Sequence, residues 1–309
     1  MLADVLSLLY LFWPLSVLSI SICFLCGLFF AINIGSFLFG FVLIVYYIYN
    51  YLKRKGIFAY MYKWLSETSI TLSTRLQTNI QETFTVHGAI PSQPALYIAH
   101  PHGLFSMAPF LHWAARITQW PKDRKISIAV HSIFFKIPIV CELMEAYGAI
   151  EATEESIRAK LKEGISVAVL TGGIRELHET HPGKMKLILK KRKGVFRIAQ
   201  DLQVPIVPVL TFGENELFPP IQSAWTRTLQ KYLRAWMGIG IPIPTLESLK
   251  NWFLLLHSPL QAQVTTWIGN PIGPEKKTVS EFQDEIFVEF RRLFTSGKPG
   301  HYTEDIEIV

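Results

Sequence analysis

Short apolar runs alternate with amphipathic stretches through most of this chain. The runs are too short for typical helices and lie between proline, glycine and charged positions, which is characteristic of buried strands. The stretches between them carry apolar residues at helical spacing. This alternation predicts an α/β fold with a mostly parallel sheet covered by helices. The predicted strands are Ala95–Ala99, Lys125–Val130, Ile165–Leu170, Val204–Thr211 and Gln263–Ile268.

Several of the intervening stretches predict helices with recognisable ends. Glu154–Glu163 follows Thr153, a suitable N-cap, and precedes Gly164, which favours termination. A closing helix is predicted to begin at Ser280, with Gln283 completing a capping box, and its apolar stripe is better explained by core packing than by a cofactor site. Further helices are predicted over Leu104–Thr118 and Arg192–Leu202.

The beginning of the chain has a different pattern. No Lys, Arg, Asp, Glu or His occurs from Val5 to Leu52, about twice the roughly 20 residues that cross a bilayer once. Asn33–Ser36 is a turn-like cluster near the middle of this run. We therefore predict a transmembrane hairpin of two helices, about residues 5–30 and 36–52, with a re-entrant or interfacial element as the alternative.

Basic residues at the end of the apolar run predict its orientation. Lys53, Arg54 and Lys55 follow the second helix, and positive charge is retained on the cytosolic side. The chain is thus expected to divide into a membrane-embedded hairpin, residues 1–55, and a cytosol-facing domain, residues 56–309. A secretory signal peptide is a poorer explanation, because it has a basic start and a much shorter apolar core.

Composition narrows the class of partner. Only 17% of residues are charged, against roughly 25% in soluble domains, and the apolar run accounts for the deficit. The net charge of +6 suits anionic lipid or a phosphate-bearing acyl carrier. Nucleic acid is disfavoured, since no basic run accompanies a recognition motif. Three cysteines, Cys23, Cys26 and Cys141, are too few for a disulfide framework, so a reducing compartment is expected.

Two histidines stand at the end of the first predicted strand. His100 and His102 flank Pro101 and precede Gly103, at the edge of the sheet where such folds place their sites. Proline restricts the backbone, glycine allows close approach of a substrate, and a neutral histidine can accept a hydroxyl proton near pH 7. Metal binding is the disfavoured alternative, because the other candidate ligands show no recognised metal-site spacing. These candidates are His112, His131, His178 and His181.

A glycine pair follows another predicted strand. Gly172 and Gly173 leave backbone N–H groups available to an oxyanion or a phosphate. Glu176, three residues further on, is expected to hydrogen-bond an imidazole and hold its tautomer. The alternative for Glu176 is a solvated carboxylate paired with Arg175.

Two further stretches suggest contacts with anions and lipid. Lys190–Lys193 stands at a predicted helix start, where cations oppose the helix dipole. This misfit favours a role for Lys190, Arg192 and Lys193 in binding an anion such as the phosphates of coenzyme A. Trp225–Trp236 interleaves aromatic and basic residues, which suits a helix in the headgroup region that admits lipid, with an ordinary surface helix as the alternative.

Taken in order, these elements resemble the type-2 diacylglycerol acyltransferase family, which includes monoacylglycerol and wax-alcohol acyltransferases. The resemblance covers nearly the whole chain after the predicted hairpin. Phe135–Pro138 and Leu143–Ile150 resemble a further family stretch. The matching motifs are HPHG at His100–Gly103, GGxxE at Gly172–Glu176, RKGxxxxA at Arg192–Ala199, VPVxxFGENEL at Val207–Leu217 and GxPI at Gly269–Ile272.

The resemblance implies an acyl-CoA-dependent O-acyltransferase with a glycerolipid-acyltransferase-like fold. It implies an endoplasmic reticulum membrane location with the catalytic domain in the cytosol, or a lipid-droplet location. Acyl-CoA is expected as co-substrate, with no bound cofactor and no metal, and the bilayer as a partner. Diacylglycerol is the favoured acceptor. Monoacylglycerol, a long-chain alcohol, a homo-oligomer, and a non-catalytic lipid-binding protein on the same scaffold remain open.

The resemblance also suggests roles for individual residues. It assigns the catalytic base to the HPHG motif, and we place it on His102, with His100 beside it and Glu176 as the partner carboxylate. The backbone around Pro101, Gly103, Gly172 and Gly173 is the expected oxyanion or substrate contact. Glu214 and Asn215 are expected near the site.

Three departures from the family pattern concern the acceptor more than the reaction. Cys141 stands where the family usually has arginine, and Asn251–Leu256 replaces an expected glycine-arginine-glycine stretch. A tyrosine-phenylalanine-proline motif upstream of His100 is absent. A lipid hydrolase is disfavoured, because the chain has no GxSxG elbow.

Overall fold

The computed structural model describes residues 37–54, 74–104, 106–114, 126–137, 140–179, 183–237, 243–261 and 263–309. The chain divides into two compact units. One comprises Met1–Thr74 and Ser132–Tyr147, and the other comprises Arg75–His131 and Gly148–Val309. The second unit contains every residue assigned above to the site.

The first unit contains a helix, Phe37–Arg54, where the second helix of the hairpin is predicted. It also contains a 3-10 turn, Ser132–Phe135, and a short helix, Val140–Ala146. The Tyr49 hydroxyl contacts the Cys141 sulfur at 2.9 Å and the Glu142 carboxylate.

The predicted membrane hairpin lies largely beyond what the structure describes. Its first helix, about residues 5–30, and the Asn33–Ser36 turn fall outside the described residues. Among the described residues, no helix combines the length and apolarity needed to cross a membrane. The division into a hairpin and a cytosol-facing domain stays a prediction.

The second unit is built on a seven-stranded sheet in the order β1-β8-β7-β2-β5-β3-β4. Neighbours from β7 to β4 pair in parallel, whereas β8 is antiparallel to β7 and β1 is parallel to β8. The prediction of a mostly parallel sheet is therefore confirmed, with β7–β8 as the one antiparallel pair among the described strands, so that β1 and β8 run opposite to the other five strands of this sheet. The strands are β1 Phe84–His87, β2 Leu96–His100, β3 Ile126–Val130, β4 Ile150–Glu151, β5 Ser166–Val169, β7 Ile206–Phe212 and β8 Val264–Ile268. A separate parallel pair joins β6, Lys186–Leu187, to β9, Glu307–Ile308.

Burial along the strands explains this arrangement. Every residue of β2, β5 and β7 is buried, as expected for central strands covered on both faces. In β8 buried residues alternate with partly exposed ones, a pattern typical of an antiparallel strand with one wetter face. Thr265 and Trp267 supply the partly exposed positions.

Helices cover the sheet and connect its strands. The predicted helix Glu154–Glu163 is confirmed, including its cap, because the Thr153 side chain accepts the N–H of Ser156. The predicted helix Leu104–Thr118 is only partly described, as a short helix, Met107–Pro109, and a following π-helical turn, Phe110–Ala114. In chain order, the helices of this unit are α1 Thr74–Thr83, α2 Met107–Pro109, α3 Glu154–Lys162, α4 Gly173–Glu179, α5 Lys193–Leu202, α6 Glu214–Leu217, α7 Ala224–Met237, α8 Leu246–His257 and α9 Val279–Gly297.

The start of the closing helix corrects the sequence-based expectation. The N-cap is Thr278, whose side chain accepts the N–H of Glu281, and the Glu281 carboxylate accepts the N–H of Thr278. Ser280 therefore lies inside the helix. Gln283 is buried and donates to the carbonyls of Leu189 and Lys190, at 3.3 and 3.0 Å. The reciprocal Thr278–Glu281 bonds satisfy the helix start, and the Gln283 amide braces the segment ahead of α5.

Alternation along β2 decides which layer each side chain enters. Leu96 and Ile98 join a core with α5 and α9, whereas Tyr97 and Ala99 join a core on the opposite face. The same alternation places His100 on the side of α9. There its ring contacts the edge of Phe290, with the ring centres 5.4 Å apart.

Candidate active site

The site lies where the carboxyl ends of β2 and β5 meet. His100 is the last residue of β2, and Thr171 follows β5 by two residues. Because these strands are parallel neighbours, their ends reach the same edge of the sheet. The turn after β5 leads into α4, which carries Glu176.

Three buried side chains, Glu176, His100 and Thr171, are joined in series by hydrogen bonds at the site. The Nδ1 of His100 lies 2.6 Å from Oε2 of Glu176, and its Nε2 lies 2.9 Å from the Thr171 hydroxyl. A carboxylate only accepts hydrogen bonds, so Nδ1 carries the proton and Nε2 accepts from Thr171. His100 and Glu176 are 1% and 0% exposed, and both nitrogens of the His100 ring are occupied. This imidazole is therefore held in one tautomer and one orientation.

The Glu176 carboxylate joins three segments of the chain. Besides His100, Oε2 accepts the backbone N–H of Ile188 at 2.9 Å, and Oε1 accepts the backbone N–H of His102 at 2.8 Å. The expectation that Glu176 holds an imidazole is met at His100. At His102 the Glu176 carboxylate accepts the backbone N–H, and the ring nitrogen Nδ1 of His102 lies against the Gly103 carbonyl instead.

The His102 ring is half-buried, and one of its nitrogens has no hydrogen-bond partner among the described residues. Its Nδ1 lies 2.8 Å from the carbonyl oxygen of Gly103, and since a carbonyl only accepts, Nδ1 carries the proton. Nε2 therefore carries the lone pair when the ring is neutral. Burial lowers the pKa of His102 below its ordinary value of 6.5, although the Gly103 carbonyl and the Glu176 charge act in the opposite direction. The ring is thus a neutral base at pH 7.

Two glycines allow carboxylates to approach the backbone closely. Gly103 has a φ of +63°, and a Cβ there would overlap the Glu214 carboxylate, whose Oε2 accepts the N–H of Ala108 at 3.1 Å. A Cβ on Gly172 would overlap the Glu176 carboxylate. Gly173, with a φ of +58°, begins α4 and has open space around it.

The remaining predicted residues lie around this centre. Glu214 and Asn215 are buried in α6, and the Asn215 Oδ1 has no hydrogen-bond partner within the described part of the chain. Lys190–Lys193 is exposed and begins two residues after Ile188, whose amide contacts Glu176. The Lys190 Cα therefore lies within about 7 Å of the Ile188 Cα.

His112 belongs to the opposite face of the sheet. Its Nε2 lies 2.9 Å from the Thr266 hydroxyl, which in turn lies 3.0 Å from the Thr211 hydroxyl. Burial lowers the pKa of His112 to about 3, so it stays neutral in the folded protein. His112 is therefore not a partner of His100 and His102. The exposed His131 follows β3, and His181 lies outside the described residues.

Sequence reasoning missed two contributors to the site. Thr171 directly precedes the glycine pair, and its position at a strand end was a signal that could have identified it. The backbone N–H of Ile188 had no such signal, because a main-chain donor leaves no trace in side-chain pattern. Its position depends on how the β6 segment folds against α4.

Comparison with known sequences places this geometry in context. The sequence profile described as "Diacylglycerol acyltransferase" matches residues 28–296. Human 2-acylglycerol O-acyltransferase 1 is 30% identical over 225 residues, covering 67% of this chain and 66% of that protein. Diacylglycerol O-acyltransferase 2A of Umbelopsis ramanniana is 31% identical over 210 residues, covering 64% and 58%. Human acyl-CoA wax alcohol acyltransferase 2 is 27% identical over 249 residues, covering 72% of each.

The matched region spans just under two thirds of the length of the 2-acylglycerol O-acyltransferase, at 66%. Among solved structures, the 1-acyl-sn-glycerophosphate (LPA) acyltransferase PlsC from Thermotoga maritima aligns with a TM-score of 0.45 at 18% identity. That alignment covers 95% of this chain and 99% of the other.

Proposed function

Because this chain belongs to the diacylglycerol acyltransferase family, we propose that it transfers a fatty acyl group from acyl-CoA to a glyceride hydroxyl. The favoured acceptor is diacylglycerol, which gives triacylglycerol, and monoacylglycerol or a long-chain alcohol is the alternative. The observation that carries the proposal is the tautomer of His102, whose Nδ1 donates to the Gly103 carbonyl and whose Nε2 has no hydrogen-bond partner within the described residues. A base in this state can accept the hydroxyl proton of an alcohol.

The reaction proceeds through a single attack on the thioester. The Nε2 of His102 removes the acceptor's hydroxyl proton, and the resulting oxygen attacks the thioester carbonyl carbon. A tetrahedral oxyanion forms, the carbon–sulfur bond breaks, and the new ester leaves the site. The departing thiolate takes the proton back from the imidazolium, which restores neutral His102 and releases coenzyme A as the thiol.

Backbone donors at the sheet edge stabilise the oxyanion. The N–H groups of Gly103, Gly172 and Gly173 are the proposed donors, because glycines let a substrate carbonyl approach the main chain closely. The nearby charge of Glu176 favours the imidazolium that His102 becomes during the reaction. Pro101 holds the two histidines in their fixed directions.

His100, Glu176 and Thr171 hold the base in place. The order of hydroxyl, imidazole and carboxylate also matches that of a nucleophile triad. However, Thr171 is only 7% exposed and His100 only 1%. We therefore assign a positioning role to these three hydrogen-bonded side chains, in which Glu176 orders the backbone of His102.

The basic run next to the site suits the phosphates of acyl-CoA. Lys190, Arg192 and Lys193 are exposed, and within the described part of the chain they have no ion-pair partner. The helix α5 that follows has no acidic residue in its first turn. These cations bind phosphate as exposed point charges, so their contribution is screened by salt.

We further propose that the protein resides in the endoplasmic reticulum membrane, or at lipid droplets, with residues 56–309 in the cytosol. The apolar run from Val5 to Leu52 and the basic residues after it support this location. The lipid acceptor and the acyl product are then supplied and removed through the same membrane.

A comparison of histidine variants tests the proposal. Labelled acyl-CoA and a panel of acceptors are supplied to membranes carrying the wild type, His102→Ala or His87→Ala. His87 lies on the edge strand β1, its ring stacks on Trp267, and β8 and β7 separate it from β2, so it is three strands away from the site. We expect His102→Ala to lower the rate about 100- to 10,000-fold, and His87→Ala to retain it.

The product identifies the acceptor, and the variants identify the base. Transfer at the wild-type rate by His102→Ala would remove His102 from the mechanism. If well-folded wild-type protein acylates no acceptor in the panel, a non-catalytic lipid-binding protein on this scaffold becomes the better explanation.

A further inference from the structure

Two consecutive long helices of the second unit, α7 and α8, expose large apolar side chains. We name their exposed sides together the α7/α8 face. Exposed fractions of its apolar side chains range from 41% to 86%. Its apolar members are Trp225 and Tyr232 on α7, and Leu246, Phe253 and Leu254 on α8.

Helix α7 divides into three stripes. Its core-facing stripe is buried, whereas Trp225 and Tyr232, seven residues apart, share a second side that is exposed. Arg227 and Lys231, four residues apart, are exposed on a third side. Because successive residues are about 100° apart around a helix, the aromatic stripe lies on one side of the buried stripe and the basic stripe lies on the other. The buried residues are Thr226, Gln230 and Leu233.

Helix α8 also has a buried side and an exposed side with large apolar residues and a cation. Leu246, Lys250 and Phe253 are exposed and spaced four and three residues apart, which places them on one outer side. The buried side of α8 consists of Ser248, Trp252 and Leu255. An outer stripe of leucine and phenylalanine around a lysine is therefore left facing solvent.

The starts of the two helices are held together. The segments before them form a short antiparallel ladder, in which Pro220 pairs with Pro244 and the Ile221 N–H donates to the Ile243 carbonyl at 2.8 Å. The Ser248 hydroxyl donates to the Pro219 carbonyl at 2.6 Å. The outer stripes thus belong to one braced element.

This element is linked to the candidate active site through α6. The Asn251 amide of α8 donates to the Leu217 carbonyl, the last residue of α6, at 2.8 Å. The first residue of α6 is Glu214, which accepts the Ala108 N–H and lies against Gly103. The α7/α8 face and the HPHG segment therefore share one short helix.

The composition of the face fits a bilayer surface. Tryptophan and tyrosine beside lysine and arginine are typical of the membrane–water interface, and α7 contains no acidic residue. The face has three exposed cations, Arg227, Lys231 and Lys250, against one exposed carboxylate, Glu247, so its net positive charge is complementary to anionic headgroups. The apolar run from Val5 to Leu52 of the same protein is also predicted to lie in a bilayer.

We infer that the α7/α8 face docks on an anionic phospholipid bilayer, with its aromatic and leucine side chains in the headgroup region. This inference rests on the proposed function and deepens it, because docking sets the HPHG segment beside the membrane that holds the acceptor. A water-insoluble glyceride then reaches the site directly from the lipid phase.

Photo-crosslinking of the full-length chain in vesicles tests the docking. p-Benzoylphenylalanine replaces Tyr232 or Phe253 in separate variants, and Val288 serves as the control position because it is 63% exposed on α9, away from the face. The vesicles contain radiolabelled phospholipid in an equal mixture of phosphatidylcholine and phosphatidylserine. We expect lipid adducts at positions 232 and 253 several-fold above those at 288.

A charge reversal tests the anionic preference. Arg227→Glu combined with Lys231→Glu is compared with Lys276→Glu combined with Arg291→Glu, two exposed cations outside the face. A basic residue near an anionic surface contributes about fivefold to binding, so lipid adducts at position 232 should fall at least fivefold in the first pair only. In phosphatidylcholine alone the two pairs should behave alike.

The outcomes separate docking from catalysis, because acyl transfer by the wild type is measured in the same vesicles. Active wild type with equal adducts at all three positions would overturn docking and leave the proposed function in place. Adducts to a second copy of the chain would instead identify the face as a protein interface. Adducts at 232 and 253 with no acyl transfer to any acceptor would support docking and contradict the enzyme.

Discussion

Single residues at the site differ sharply in their exposure to solvent, and this difference separates their roles. Glu176 is fully buried and accepts hydrogen bonds from His100, from the backbone of His102 and from the backbone of Ile188. His102 is half-buried and keeps one ring nitrogen without a hydrogen-bond partner in the described part of the chain. These differences support the proposed division of roles, with His100 as a fixed support and His102 as the base.

Variants of Thr171 test this proposed division of roles between the two histidines. Thr171→Val keeps the shape of the side chain but leaves the buried Nε2 of His100 without a donor, which should destabilise the protein by about 1–3 kcal/mol and slow acyl transfer. Thr171→Ser keeps the hydroxyl and should retain both. Melting curves and single-turnover rates provide the measurement.

The same variants distinguish support from covalent catalysis. If Thr171 only positions His100, rapid quenching of the wild type yields no hydroxylamine-sensitive acyl–protein ester. An ester that appears in the wild type and disappears in Thr171→Val would instead make Thr171 a nucleophile.

The pH dependence of transfer should report His102. Because burial lowers its pKa below 6.5, the neutral form dominates at pH 7, and the base is lost only as the pH falls through the lowered value. We expect kcat/KM for acyl-CoA to be level from about pH 7 to about pH 8 and to decline on the acid side. An inflection above 6.5 would contradict the assignment.

Acid unfolding must be separated from this inactivation. The folded protein keeps His112 neutral down to a pKa of about 3, whereas the unfolded chain takes up that proton near 6.5. Stability due to this group is therefore lost progressively as the pH falls below 6.5. A melting curve at each pH shows which points on the rate profile refer to folded enzyme.

At the scale of elements, strand ends and helix starts define the geometry of the site. Parallel β2 and β5 bring the histidines to the turn that carries Thr171 and Gly172. Helix α9 packs along the same core, where Phe290 meets the His100 ring, and its buried Gln283 holds the segment ahead of α5. The stability of α9 is thus coupled to the support of the site.

The cap of α9 offers a direct check on this element. Thr278→Ala removes the acceptor for the Glu281 N–H and should lower the free energy of unfolding by about 1 kcal/mol. Ser280→Ala, two residues later and inside the helix, should change it by only a few tenths of a kcal/mol. Denaturant or thermal unfolding of both variants measures the two changes. Equal losses of unfolding free energy in the two variants would contradict the observed capping box.

At the scale of the whole molecule, exposed cations and exposed apolar side chains are concentrated at two places that the proposed function would use. Exposed cations at the start of α5 lie next to the segment that contacts Glu176, and aromatic residues with cations form the α7/α8 face. A soluble, phosphate-bearing co-substrate and an insoluble acceptor can then approach the site by different routes.

The phosphate role of the basic run predicts a change in KM. Replacing Lys190, Arg192 and Lys193 together by glutamine should raise the KM for acyl-CoA several-fold at low salt, with kcat much less affected. The difference from the wild type should shrink as salt is added, because exposed charges are screened. Replacing Lys276, Arg291 and Lys298 by glutamine is the matched control, and equal effects of the two triples would argue against a phosphate site.

Much of the architecture follows from local pattern. Apolar runs predicted, to within a few residues, five of the nine strands in the described part of the chain, because burial on both faces of a parallel sheet demands continuous apolar sequence. The strands β4, β6 and β9 were missed because two residues are too few to show a period. The edge strand β1 was missed because only one of its four residues is buried, so it has no continuous apolar run.

By itself, the sequence determined the class of fold, the family, and the segments that carry the chemistry, because these depend on residue type and spacing along the chain. Only the tertiary structure decided that Glu176 pairs with the His100 ring and meets His102 through its backbone, that Thr171 completes the chain, and that β8 runs antiparallel. Hydrogen bonds between residues more than 70 positions apart depend on how strands and turns pack, and no local pattern records that packing.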